Sequence, residues 1–523
     1  MIAIMLYAVL SFRHIVFAWD IWDTVEMYRD VRDGQAGWSV FWSLHYEHRI
    51  VFPRLLILLD YFFASASGNL LLTLLFVLHA AHAGLLVWVY ARSGSADRLH
   101  VLLYACIVAM AFVWLKQREN FIWPFQIAWI LNAFFASLAV YLAATRPTAR
   151  GLLASAAACV VAGLSLASGI LLPFVIGLML WRSGVSQRRL LLWGAFAVAL
   201  ATAYMIGYVA PEPKIVGLPH PSPLELFAFA GAYLGNVITM AQFPIGFSVC
   251  LGFAGLMLFG WYGIRFLRSS EPPLYARFAF AVSTYVVAMV FVTSWGRASF
   301  GLQAAASNRY VTTSVIFWVV LFAWFAAAAT PRVRRIYFGT ALAVCLGYLV
   351  PTQVLLVGKM RDKFVAYDNG ALALIAGVED SAALYELTPT IDSMWRRGGI
   401  LKEDGLSVYR DAWAQVVGGT VSREMLHFRS DSMLEAKLFD VRRIDRASRS
   451  GYFVSGRLEG ALDDGYPEVL LLTRGDSVIG AVKTAHRGCD GCFSGYASGE
   501  RPSFEIVAWP RNGDDDARRV TRH

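Results

Sequence analysis

Charge is what this chain has least of. Only 16% of its 523 residues are Asp, Glu, Lys or Arg, where a soluble domain carries about a quarter. With 57% hydrophobic residues and a mean hydropathy of +0.53, that shortage excludes an ordinary soluble enzyme and places the chain in a membrane. Ionisable groups are few within the apolar runs, which argues against a channel or transporter, because ion pathways keep such groups inside their spans. Cysteine is scarce too. Of the six, Cys106, Cys159, Cys250 and Cys345 fall in apolar runs and read as small core residues. Residues 1–19 lack a basic leader and a small-residue cleavage site, so a cleaved signal peptide is not expected.

What is present is a series of long apolar runs. "NLLLTLLFVLHAAHAGLLVWVYA" (69–91) and "YVTTSVIFWVVLFAWFAAAA" (310–329) are each long enough to cross a hydrocarbon core of ~30 Å as a helix. The net charge of +9 does not point to nucleic acid. The arginines cluster in short loops, "ARSGSADR" (91–98), "RPTAR" (146–150), "RSGVSQRR" (182–189), "RFLR" (265–268) and "PRVRR" (331–335), which the positive-inside rule places in the cytoplasm.

Alternation from those loops gives about eleven spans, at residues 1–18, 69–91, 99–115, 122–144, 152–165, 170–181, 190–209, 248–264, 275–293, 310–329 and 336–357. Residues 49–67 then cannot cross. With Pro53, Arg54 and Asp60 they suit an amphipathic helix on the outer surface. The two short spans flanking "SLASG" (165–169) read as broken helices lining a protein cavity. His79 and His82 are expected to face the bundle, since nothing near them completes a metal site.

The expected architecture is an all-α polytopic membrane domain over residues 1–357, followed by a small soluble α+β domain over residues 358–523. Residues 369–387 have helical periodicity, several alternating stretches after residue 450 read as strands, and a disordered tail is expected from about Asn512. The location implied is the bacterial inner (cytoplasmic) membrane with the C-terminal domain in the periplasm. In "HRGCDGC" (486–492) three of four zinc ligands are present, so a short-loop disulfide between Cys489 and Cys492 is the simpler reading and no metal site is expected.

On this topology the polar residues collect at the outer face. "FAWDIWDTVEMYRDVRDGQ" (17–35) follows the first span, and Asp20, Asp23 and Glu26 fall on one face of a helical turn. Carboxylates beside lipid headgroups suit a general base or a divalent cation, although acids there also serve simply to cap the next helix. Glu47 precedes the surface helix, and "KQREN" (116–120) supplies Lys116 and Arg118 as phosphate ligands.

This order of features resembles the C-type glycosyltransferases, most closely the bacterial aminoarabinose transferase and protein O-mannosyltransferase branch. "DIWDTVEMYRD" stands at that family's first-loop carboxylate motif, "EHRIVFP" at its Glu-Lys-Pro-Pro stretch and "RENFIWPF" at its turn after the third span. Ala167 and Ser168 stand where the family has a lysine. Residues 47–50, 119–126 and 307–310 are also similar to stretches of a set of uncharacterised bacterial membrane proteins.

The resemblance implies transfer of a sugar from a polyprenyl-phosphate donor to an envelope glycan, lipid or protein. Asp23 or Asp20 would take the acceptor proton. Lys116, Arg118, Arg297 and Arg309 would stabilise the departing phosphate, and Glu26, Glu47, His48, Arg49, Glu119, Asn120 and Tyr310 would bind substrate. Two other readings stand beside it: an O-antigen-type polymerase or ligase, with its chemistry in a late outer loop, and a non-catalytic membrane assembly protein.

Overall fold

Backbone groups in hydrocarbon have no water to bond, so long apolar runs fold as helices that satisfy their own N–H and C=O groups. The structure, a computed structural model, describes residues 1–13, 15–94, 97–209, 220–240, 244–420, 427–428, 434–446, 449–459, 466–484, 489, 491–509 and 516–522. Among them seven helices are long and apolar enough to cross a membrane: Asn69–Ala91, Arg98–Ile122, Pro124–Thr145, Ile245–Arg268, Leu274–Phe300, Asn308–Ala328 and Pro331–Ala376. This is a membrane protein, mostly helical. Four shorter apolar helices accompany the seven: Ile2–Phe12, Ala149–Gly163, Ala167–Arg182 and Pro223–Ile238. The stretch expected as a span at 190–209 is helical over Gln187–Met205, but Gln187, Arg188 and Arg189 at its start keep it outside the seven. The helix at Pro223 was not anticipated. Its start combines Pro at the first position with a capping box between Ser222 and Glu225, which satisfies amide groups left without a partner.

The chain divides into two compact units. The first contains Met1–Val9, Gly37–Leu56 and Leu71–Val357. Its short helices pack where the backbones come closest. The break expected at 165–169 lies between helix Ala149–Gly163 and the 3-10 turn Ala167–Leu171 that leads into Leu172–Arg182. A Cβ on Gly169 would lie 2.5 Å from the carbonyl carbon and oxygen of Ala162, so only glycine permits this approach. Gly252 meets the Gly231 backbone in the same way.

The second unit contains Leu10–Ala36, Ile57–Leu70 and Gly358–His523. It therefore includes the acidic first-loop segment as well as the chain after residue 358. Helices Ser381–Leu387 and Ile391–Glu403 precede strands β1 (His427–Phe428), β2 (Leu434–Ile444), β3 (Gly451–Glu459), β4 (Val469–Arg474), β5 (Ser477–Thr484), β6 (Cys492–Ser498), β7 (Glu505–Ala508) and β8 (Asp516–Arg522). The order is β1-β8-β2-β3-β6-β5-β4-β7, and β8 also pairs with β7, so the sheet curls back on itself like a barrel. Alternate side chains of its strands, among them Val454, Leu470, Leu472, Val482, Phe493 and Ile506, form one buried core. Residues 516–522, expected to be disordered, are the strand that lies between β2 and β7; both would otherwise be open edges. His486 and residues 512–515 lie outside the described residues.

The helix expected along the surface runs Val51–Ala64, too short to be a span. Its two charges are buried rather than solvated. Arg54 donates to the carbonyls of Phe41 (3.0 Å) and Ser43 (2.5 Å). The Asp60 carboxylate accepts from Gly68 N–H (2.7 Å) and Leu70 N–H (3.1 Å), satisfying amides at the head of helix Asn69–Ala91, where a negative charge is stabilised.

Candidate functional site

The singled-out residues fall in both units. In the second, Asp20 and Asp23 sit on the 3-10 turn Trp19–Asp23 and Glu26 in the first turn of helix Thr24–Arg32. Helix Ile391–Glu403 supplies two arginines to them. Arg397 donates to Asp23 (2.8 Å) and to Glu26 (3.3 Å), and Arg396 pairs with the other Glu26 oxygen. Burial opposes ionisation of Glu26, but Arg397 and Arg396 outweigh it and hold its carboxyl below the ordinary range. Arg32 pairs with Asp404 of the same C-terminal segment, and Tyr28 stacks on Tyr61 with ring centres 4.5 Å apart. The first-loop acids are thus partners of C-terminal arginines, a pairing nearly four hundred residues long in sequence that local pattern does not reveal.

In the first unit, Glu47 sits in a tight turn closed by a bridge between His45 and His48. Ala167 N–H points at His48 Nδ1 (3.3 Å), and His48 Nε2 lies 3.5 Å from Glu47 Oε1. Arg297 Nη2 reaches the same oxygen at 3.3 Å. Burial raises the cost of the Glu47 charge, but His48 and then Arg297 offset it and keep the carboxyl below its usual range. The side chain stays 37% exposed, and a hydrogen bond from its own backbone N–H also favours the charge.

Arg49 has another duty. It is 1% exposed, and its guanidinium donates to the carbonyls of Tyr204 (2.8 Å), Ile206 (2.6 Å) and Trp42 while lying 4.6 Å from the Trp42 ring centre. Every arm is spent on the backbone. The expectation that it binds substrate gives way to a loop clamp.

The segment after residue 114 meets the late loop. Glu119 accepts from Asn308 Nδ2 (3.2 Å) and Ser307 Oγ (3.5 Å). Asn120 Nδ2 donates to Arg309 O (3.0 Å) and Thr312 Oγ1 (2.7 Å), and the Thr312 hydroxyl donates to Gln117 (2.7 Å). Asn236 Nδ2 ties Ser307 O into the same layer (2.8 Å), and Lys116 donates to Thr239 O. The Arg309 guanidinium lies 5.3 Å from the Tyr310 ring centre, and Tyr310 stacks on Tyr233 at 4.5 Å. His45 packs on Phe125 at 5.0 Å, joining the Glu47 loop to this layer. Arg118 differs from the rest. It is half-buried and has no hydrogen-bond or ion-pair partner among the described residues, with Glu119 the nearest charge acting on it.

No known protein family, curated protein or solved structure matches this chain. Its chemistry is therefore read from its own geometry. Thr312 and Trp129 also line a narrow cleft, with room of about 20 Å³, whose walls are Ala136, Val140, Val282, Met289 and Ile316. Asn132 and Tyr285 border it and bond each other at 2.7 Å, with Ser168 3.3 Å from the Tyr285 hydroxyl. Gln117, Asn132, Asn236 and Tyr285 were not singled out from sequence. The available signal was that each is a polar group in or beside an apolar run. Among the described residues no cluster of three His, Cys, Asp or Glu forms a metal site.

Proposed function

We propose that this protein is an integral membrane glycosyltransferase that moves a sugar from a polyprenyl-phosphate donor to an envelope acceptor at the outer face of a bacterial cytoplasmic membrane. The observation that carries the reading is Arg118. A half-buried guanidinium without a protein partner is costly unless an anion joins it, and a planar fork of donors matches phosphate oxygens. Its neighbours Gln117 and Asn120 bond Thr312, which lines the apolar cleft. An anionic head at Arg118 and an apolar chain in the hydrocarbon around the spans are the two parts of a lipid phosphate.

The base proposed is Glu47 rather than Asp23. Asp23 and Glu26 share the Arg397 guanidinium in the second unit, whereas Glu47 belongs to the unit that contains Arg118. His48 and Arg297 keep Glu47 ionised and oriented. Its carboxylate takes the proton of the acceptor hydroxyl as the acceptor oxygen attacks the anomeric carbon, and the phosphate leaves toward Arg118, whose charge stabilises it. The part taken by Ser307, Asn308 and Arg309 favours a second reading, an O-antigen-type polymerase or ligase, because those residues belong to a late loop.

The test is mass spectrometry of envelope glycolipids and polysaccharides with the gene deleted and then restored as wild type, E47Q or R118A. The expected result is one glycan species that loses a single sugar on deletion, regains it with wild type and not with either variant. Loss of glycan chain length instead selects the polymerase reading, and an unchanged envelope removes both.

A further inference from the structure

The "CDGC" stretch is given no part in the reaction proposed above, and the inference drawn from it does not rest on that reaction. Cys489 and Cys492 are joined as a disulfide with Cα atoms 5.4 Å apart. The bridge is a weak staple. Its partners are three residues apart, so it closes a loop too small to restrict the unfolded chain much. The turn is also held without it. Cys492 N–H donates to Cys489 O (3.3 Å), and Leu458 N–H to Gly491 O (2.8 Å), while β6 is paired on both sides, by β3 and β5.

The surroundings of Cys492 suggest chemistry. On β5 and β6, Lys483 stands opposite Ser494. Side chains two apart on a strand share a face, so Cys492, Ser494 and Lys483 all point to one side. That side meets the helix carrying Asp368 and Asn369: Lys483 Nζ lies 2.8 Å from Asp368, and Ser494 Oγ donates to Asn369 (3.1 Å). Cys492, Lys483 and Asp368 line one small cavity of about 10 Å³. The ion pair is well shielded, 21% and 12% exposed, and one sulfur of the bridge shares its cavity. Cys492 is only 9% exposed, while Cys489 is more open.

We propose that Cys489–Cys492 is a thiol–disulfide exchange centre serving a dithiol partner, with Cys489 the sulfur attacked and Cys492 the sulfur that leaves. A partner thiolate attacks Cys489 Sγ, forming a mixed disulfide as the Sγ–Sγ bond breaks. The bonding pair departs on Cys492 as a thiolate in the cavity, beside the Lys483 ammonium, and the thiolate then takes a proton. The partner's second thiolate attacks its own sulfur in the mixed disulfide and releases Cys489, which is protonated in turn. Two electrons and two protons pass to this protein, and the partner becomes a disulfide. A nearby cation favours the leaving thiolate and so speeds the first step.

The experiment uses the full-length protein in detergent at pH 7, with reduced dithiothreitol as the dithiol probe and no denaturant. Free thiols are alkylated at intervals and read by peptide mass spectrometry at Cys489 and Cys492. The expected result is complete reduction of the folded protein, slowed on the order of tenfold in K483M, unslowed in K483R and accelerated in D368N, where the ammonium is no longer neutralised. The double variant K483M/D368L, which removes both buried charges together, should also be slow, and it separates lost exchange from the strain of an unpaired Asp368. A bridge that resists reduction until guanidinium is added is a staple and overturns the proposal. So does an unchanged rate in both K483M and the double variant.

Discussion

Arg397 Nη1 lies 2.8 Å from Asp23 Oδ1, so the acid that the sequence marks as the best catalytic candidate is bonded to an arginine from the far end of the chain. Arg397 is nearly buried while Asp23 is 40% exposed, and solvent screening limits what the pair contributes. A double-mutant cycle with D23N and R397Q, read by thermal unfolding, should give a coupling of about 0.5–1 kcal/mol. Additive losses would mean that the contact is not energetically coupled.

Glu26 gives that contact a pH dependence. Its folded pKa lies below the ordinary 4.5, so its stabilisation is complete above about pH 4.5 and is lost as pH falls through the depressed folded value. The stability of wild type should therefore drop more steeply than that of E26Q between pH 4.5 and pH 3. Parallel curves would exclude Glu26 as a source of the acid sensitivity.

For transfer, E47Q should lose about 10²–10⁴-fold in rate, while D23N keeps most of its activity because Asp23 serves Arg397. Turnover of a synthetic polyprenyl-phosphate sugar in lipid nanodiscs measures both. The reverse order, with D23N dead and E47Q active, returns the base to the first loop.

Replacing Arg49 removes donors from three backbone carbonyls. R49A should cost about 2–4 kcal/mol and lower the folded yield in detergent, and R49K should recover little because one ammonium cannot reach three carbonyls. A stable R49A would show that water replaces the clamp.

Topology has a direct readout. A reporter fused after Ala91 should read cytoplasmic and one after Gly358 periplasmic, as the arginine loops require. A cytoplasmic C-terminal reporter would move Arg118 and Glu47 away from the compartment that the transfer reaction needs.

Sequence was most informative where one local force dominates. Apolar length located the long spans, and "SLASG" located the break that Gly169 makes sterically feasible. It was least informative for charges. Arg49, Arg54 and Asp60 look alike as polar residues near an interface, yet all three are buried and bonded to backbone groups, because the unmet need lay in distant carbonyls and amides. Membership of Leu10–Ala36 in the second unit was equally hidden, since Asp23, Glu26 and Arg32 find their partners at Arg396, Arg397 and Asp404. The helix at Pro223 was missed because its 12 residues follow directly on a proline-rich stretch, residues 211–223. The strand at 516–522 was missed because its charged composition resembles a solvated tail, while its place is set by the edges of β2 and β7.

The short helices on either side of Gly169 have a consequence for the lipid around them. Ala149–Gly163 has 15 residues, and Ala167–Arg182 adds a five-residue 3-10 turn to an 11-residue helix, so at 1.5 Å per residue they rise about 22 and 24 Å, short of the ~30 Å of an average hydrocarbon core. Both present large apolar side chains outward, among them Leu153, Phe174 and Trp181. A bilayer that wets these surfaces must thin beside them or draw in shorter acyl chains.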